Sequence, residues 1–130
     1  MAAPKTKQKM KDLDASATPV KASLSNYRQS PRKTRLVANL IQGKNVAEAL
    51  MILSFTDKRA SLPLKKLIES AYASAKATLS STQENLVVSR ITVDKGIVFK
   101  RMMPRARGSA ARIKKRTSHV SLTLTPKVTK

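Results

Sequence analysis

Cysteine and tryptophan are absent from this chain, and histidine occurs once, as His119. Without cysteine there is no disulfide framework and no thiolate metal site. One histidine is too few for a histidine-built metal centre. The lack of cysteine fits a reducing, cytosolic home. No apolar run approaches the roughly 18 residues of a membrane span, and no signal-peptide hydrophobic stretch is expected at the start. Asp12 and Asp14, and lysine in place of arginine, fit an organelle transit peptide poorly. Only four aromatics occur: Tyr27, Phe55, Tyr72 and Phe99. That is too few for a sheet or barrel that reads single-stranded bases by stacking, so binding is expected to rest on phosphate contacts and shape.

Acid is scarce relative to base. Seven Asp/Glu face 27 Lys/Arg, a net charge of +20. The imbalance is uneven. Residues 1–35 carry nine basic residues against two acids, residues 36–94 seven against five, and residues 95–130 eleven against none. A nearly balanced middle therefore lies between two cationic ends. Like charges repel, so a fold gains nothing internally from an unpaired cationic run. A nucleic-acid backbone is the natural outside partner.

What is present sorts into short elements. Residues 1–19 are rich in Lys, Ala and Thr, lack periodicity, and read as a flexible tail. Residues 20–130 read as a single domain. Val20, Ala22 and Leu24 alternate with polar residues, the pattern of a strand. Ser30-Pro31 predicts a helix start, with Ser in the cap position and Pro in the first turn. Leu36, Val37, Leu40 and Ile41 follow at helical spacing, and Gly43 is a natural stop. Asn45 and Glu48 have capping-box spacing, before an apolar face of Val46, Ala49, Leu50 and Leu53. Leu64, Leu67, Ile68, Ala71, Ala75 and Leu79 predict a third helix. Ser80 to Asn85 reads as a polar linker.

The pattern then turns to strands. Val87, Ile91 and Val93 alternate with Val88, Arg90 and Thr92, and Asp94-Lys-Gly96 reads as a turn or bulge. Val120, Leu122 and Leu124 alternate with Ser121 and Thr123. Pro104 to Ala111 holds the Pro, Gly and Ser of a reversal. One long antiparallel hairpin over about residues 97–120 is the simplest geometry. Its outer half has no apolar alternation. A lone two-stranded ribbon is marginal in water, so the tip is expected to be mobile until a partner orders it.

An enzyme is not expected, because the acids are scattered and no phosphate loop, dinucleotide turn or nucleophile elbow occurs. Nor is a cofactor, metal or small-molecule substrate. A solvated charged face would mix signs, whereas Phe99 to His119 holds eight Lys/Arg and no acid. Arg32, Lys33 and Arg35 lie in the first turns of a helix, where cations oppose the helix dipole. A bound phosphate gives them a reason to be there. The Gly43-Lys44-Asn45 turn also permits an alternative, a helix-turn-helix or architectural DNA-binding protein. Its candidate recognition helix, Val46 to Leu53, carries Glu48 and no basic residue.

Several strings together resemble a known family. They are Arg28-x-Ser30-Pro-Arg-Lys-x-Arg-Leu-Val37, Ile41-x-Gly-Lys44, Ala49-Leu-x-Ile-Leu53, Lys66-x-x-x-Ser70-Ala, Lys100-Arg-Met-Met-Pro-Arg-Ala-Arg-Gly108 and Arg112-Ile-x-Lys-Arg-Thr-Ser-His119. In this order, from about Val20 to Thr125, they resemble the bacterial-type universal large-subunit ribosomal protein family numbered twenty-two. The resemblance implies an α+β fold, with three helices packed on a small antiparallel three-stranded sheet and a long projecting hairpin. It implies a structural constituent of the large ribosomal subunit that binds large-subunit ribosomal RNA and supports assembly in the cytoplasm. The implied RNA-binding residues are Arg28, Arg32, Lys33, Arg35, Lys44, Lys100, Arg101, Arg105, Arg107, Arg112, Lys114, Lys115, Arg116, Thr117, Ser118 and His119. The tip, Arg105, Ala106, Arg107, Gly108, Ser109 and Ala110, is implied to line the polypeptide exit tunnel. Implied partners are ribosomal RNA, neighbouring large-subunit proteins and the nascent polypeptide. The Gly108-Ser109-Ala110-Ala111 stretch is less charged than is usual in that family.

Overall fold

The computed structural model describes residues 19–79 and 85–127. All of the expected tail except Pro19, and all of the expected linker except Asn85, lie outside the described residues. The elements run β1 (Val20–Tyr27), α1 (Pro31–Ile41), α2 (Val46–Phe55), α3 (Ser61–Leu79), β2 (Leu86–Pro104) and β3 (Ala110–Pro126). The strands form one antiparallel sheet in the order β1-β3-β2. The fold class is α+β, as the family resemblance implies.

Core formation follows from which side chains the strands turn inward. Val120, Leu122 and Leu124 of β3 are buried, as are Leu86, Val88, Ile91 and Val93 of β2. The helices cover that face with Val37, Ile41, Val46, Leu53, Leu64 and Ile68. Ala71 and Ala75 are fully buried on α3, where their small size lets the helix approach its neighbours closely. Each fully buried Leu or Ile contributes about 1.5–3 kcal/mol by leaving water.

Three local expectations need correction. In β2 the inward residue is Val88, and Val87 is only half-buried. A bulge between Val88 and Arg90 inserts one residue and resets the parity, so Ile91 and Val93 still face in. On α1, Leu36 and Leu40 are 67% and 50% exposed. The inward stripe is instead Pro31, Thr34, Val37, Ala38 and Ile41. Thr34 fits there because its hydroxyl donates to the Ser30 carbonyl at 3.3 Å. Asn45 caps α2 without a side-chain bond, so the capping box does not close.

The helix signals otherwise hold. Pro31 opens α1 after Ser30. Gly43, at φ +77°, ends it in the left-handed region that glycine enters without a Cβ clash. The turn that follows is tied to the edge of β2. Gly43 N–H donates to the Val88 carbonyl at 2.8 Å, and Val88 N–H donates to the Lys44 carbonyl at 2.9 Å.

The sheet changes along its length. β1 pairs with β3 only as far as Tyr27 opposite Ser118. Beyond that, β2 and β3 continue alone from Val98 opposite Arg116 to Pro104 opposite Ala110. From Lys95 to Arg105 this arm reaches roughly 30 Å at about 3.3 Å per residue.

Candidate nucleic-acid interface

The two-stranded arm is almost wholly exposed. Every residue from Lys100 to Ala110 and from Arg112 to Arg116 is exposed to solvent. Cross-strand pairing decides which charges share a face, because paired residues point the same way. Lys100 lies opposite Lys114, Met102 opposite Arg112, and Val98 opposite Arg116. One face therefore carries Lys100, Arg112, Lys114 and Arg116. The other carries Arg101 and Lys115 among Phe99, Met103 and Ile113. Like charges placed directly opposite destabilise a ribbon. The Lys100–Lys114 pair is thus a cost to the free protein that a bound anion reverses.

The tip closes tightly. Arg105 N–H donates to the Ser109 carbonyl at 2.9 Å, and the Ser109 hydroxyl donates to the Ala106 carbonyl at 2.9 Å. Arg107 and Gly108 are consecutive left-handed residues, at φ +57° and +70°. Glycine adopts that region freely, whereas arginine does so at a cost of about 1–2 kcal/mol. The result presents Arg105 and Arg107 at the end of the arm.

At the foot of the arm, two irregular strands grip β3. β2 bulges between Lys95 and Val98, around Gly96, and β1 is irregular between Leu24 and Tyr27, around Asn26 at φ +55°. Asn26 N–H donates to His119 Nδ1 at 3.1 Å. The Thr117 hydroxyl donates to the Ile97 carbonyl at 2.7 Å. A side chain at position 96 would collide with the Thr117 hydroxyl and lie 3.0 Å from His119 Nε2. Thr117 and Ser118 are buried and His119 is half-buried. Thr117 and His119 thus tie β3 to both neighbouring strands at the junction between body and arm, while the Ser118 hydroxyl is buried without a hydrogen-bond partner among the described residues.

Arg35 is likewise engaged. Its Nε and Nη2 both donate to the Val93 carbonyl, at 3.0 and 2.7 Å, so it staples α1 to β2. Arg32, Lys33 and Lys44 are exposed, and Lys44 sits on the turn fastened to β2. A helix-turn-helix would also need basic groups on α2 to enter a groove, and α2 carries none. The turn lies along a sheet edge, and Glu48 is the one charged residue of α2.

One basic residue escaped sequence reasoning. The Tyr27 hydroxyl donates to the Arg59 carbonyl at 3.1 Å, which anchors the loop between α2 and α3 beside the end of β1. Burial raises the Tyr27 pKa, partly offset by the Arg59 charge. Arg59 thereby joins Arg28, Lys114, Lys115 and Arg116 around one cleft. The Lys58-Arg59 pair just before α3 echoes Arg32-Lys33 on α1, and that echo was the available signal.

The sequence is similar to that of known proteins along most of its length. A family model described as Ribosomal protein L22p/L17e matches residues 22–125. A protein of Herpetosiphon aurantiacus named "Large ribosomal subunit protein uL22" is 50% identical over 102 residues, covering 78% of this chain and 90% of the relative. One of the same name from Acetivibrio thermocellus is 47% identical over 117 residues, covering 90% of this chain and 94% of the relative. With its arm, junction and helices all inside the matched span, the chain belongs to the L22p/L17e family of ribosomal proteins, which are structural proteins and not enzymes.

Proposed function

We propose that this chain is a structural constituent of the large ribosomal subunit in the cytoplasm, and that it binds large-subunit ribosomal RNA and supports subunit assembly. Residues 20–130 act as one domain, the arm included. The observation that carries the reading is the exposed, acid-free arm with Lys100 set against Lys114. Such a ribbon has no internal reason for its charge, and it matches RNA strands that must be brought together against their own repulsion. Lys100, Arg101, Arg112, Lys114, Lys115 and Arg116 grip phosphates along the arm. Arg28, Arg32, Lys33 and Lys44 do so on the body. Arginine forks fit phosphate oxygens in pairs, while lysines act as point charges.

The tip from Arg105 to Ala110 lines the polypeptide exit tunnel, next to the nascent chain, while the body contacts neighbouring large-subunit proteins. The names of the relatives and the length of the arm support this placement.

Two measurements test the reading. Binding of the free chain to ribosomal RNA should weaken by about 0.7–0.9 log units per log unit of salt for each phosphate neutralised. In a fractionated lysate the chain should sediment with large subunits. Salt-independent binding, or a chain that stays in the supernatant, contradicts it.

A further inference from the structure

The cleft at the foot of the arm has features that phosphate gripping alone does not explain. It has a cavity volume of about 570 Å³, within the roughly 300–1,000 Å³ typical of small-molecule-sized sites. Its floor is the edge of β3 from Lys114 to Thr117, which β1 leaves open because their pairing stops at Ser118. Arg28 and Arg59 supply charge from the opposite wall, and none of the lining residues is acidic.

Phe99 also lines this cleft. It is the single aromatic of the arm. The Arg28 guanidinium lies 5.2 Å from the centre of its ring and that of Arg101 lies 5.7 Å away. Ring and guanidinium groups together make a surface on which a nucleobase can stack, since bases stack on both kinds of group. A bare phosphate has no use for that surface. Gln29, on the same wall, holds its Oε1 buried without a hydrogen-bond partner among the described residues. A base amino group or a 2′-hydroxyl would satisfy it after a small rotation of the carboxamide.

We propose that this cleft captures one unpaired nucleotide of the RNA, with its base against Phe99 and Arg28 and its phosphates held by Arg59 and Lys115. The inference rests on the RNA-binding function proposed above and specifies what one part of that interface recognises. The arm then grips backbone of any sequence, while the cleft selects a place where a nucleotide has left its helix.

The test uses the full chain and two RNA stems that differ by a single bulged 2-aminopurine nucleotide. The expected result is binding to the bulged stem about tenfold tighter than to the paired stem, the size expected for one base stack, with quenching of 2-aminopurine fluorescence. In Phe99→Leu, which keeps an apolar side chain, the preference should fall toward one and the quenching should largely vanish. Phe99→Tyr should retain both. Paired-stem affinity, measured for each protein, is the reference. Equal affinity of the native chain for the two stems overturns the proposal and leaves the RNA-binding function standing, as does a preference untouched by Phe99→Leu. Failure to bind either stem overturns both.

Discussion

The two halves of β3 are held by different physics. From Ser118 to Leu124 the strand lies between two neighbours, and Val120, Leu122 and Leu124 enter the core. From Ala110 to Arg116 it has one neighbour, and every residue except Ala111 is exposed. The first half is stabilised by burial. The second has only its ladder of hydrogen bonds, and it places Lys114 against Lys100. A single strand thus passes from a region that is costly to break to one that is easily changed. The body can be optimised for stability and the arm for charge, with the Gly96–Thr117–His119 junction between them.

That division is most severely tested in the core. Leu122→Ala should destabilise the chain by about 2–5 kcal/mol, from lost transfer energy and the cavity left behind. Denaturant titration measures it. A small loss would mean that the body is not the stabilising half.

Gly96→Ala should follow, at about 1–3 kcal/mol, because the new methyl group meets the Thr117 hydroxyl and His119 at a packed junction. The same substitution at Gly108 meets no neighbouring atom. The cost there is the positive φ alone, about 1 kcal/mol and confined to the tip. Similar costs at both positions would erase the distinction between junction and tip.

Arg35→Gln sharpens the boundary. If Arg35 serves the body by holding the Val93 carbonyl, the variant should lose about 1 kcal/mol of stability and keep the salt dependence of RNA binding. The reverse outcome would assign Arg35 to the interface.

The smallest effect is expected at high pH. Burial raises the pKa of Tyr27 in the folded state. The folded protein therefore holds that proton more tightly than the unfolded chain. The contribution is fully present below the unfolded pKa of 10.0 and is lost as pH rises through the folded value. Tyr27→Phe should remove this alkaline loss, seen as a flatter dependence of melting temperature on pH above about 10.

These contrasts also show what was legible in the sequence. Ser30-Pro31 and Gly43 mark helix ends through backbone constraints local to those residues, so α1 could be bounded without tertiary information. The arm was legible because eight like charges without an acid are a property of composition. Leu36 and Leu40 misled, because helical spacing alone does not say which apolar side a helix turns inward. Thr34 took an inward place with its hydroxyl satisfied by Ser30. The β2 bulge was hidden because Val87 and Val88 suit either face. Arg59 was hidden for a different reason. Its place in the cleft comes from a contact with Tyr27 across 32 positions, and no local pattern encodes such a meeting. Thr117 and His119 stood out within a motif, but their bonds to the Ile97 carbonyl and the Asn26 N–H depend on irregularities in both neighbouring strands.

The most direct test of the central claim, that the arm's charge serves an external polyanion and not the fold, is a paired measurement on Lys114→Gln, Lys115→Gln and Arg116→Gln combined. The account predicts a melting temperature unchanged or raised, because mutual repulsion is relieved, and an RNA salt slope reduced by about 2–3 log units per log unit of salt. A lowered melting temperature with an unchanged slope would contradict it.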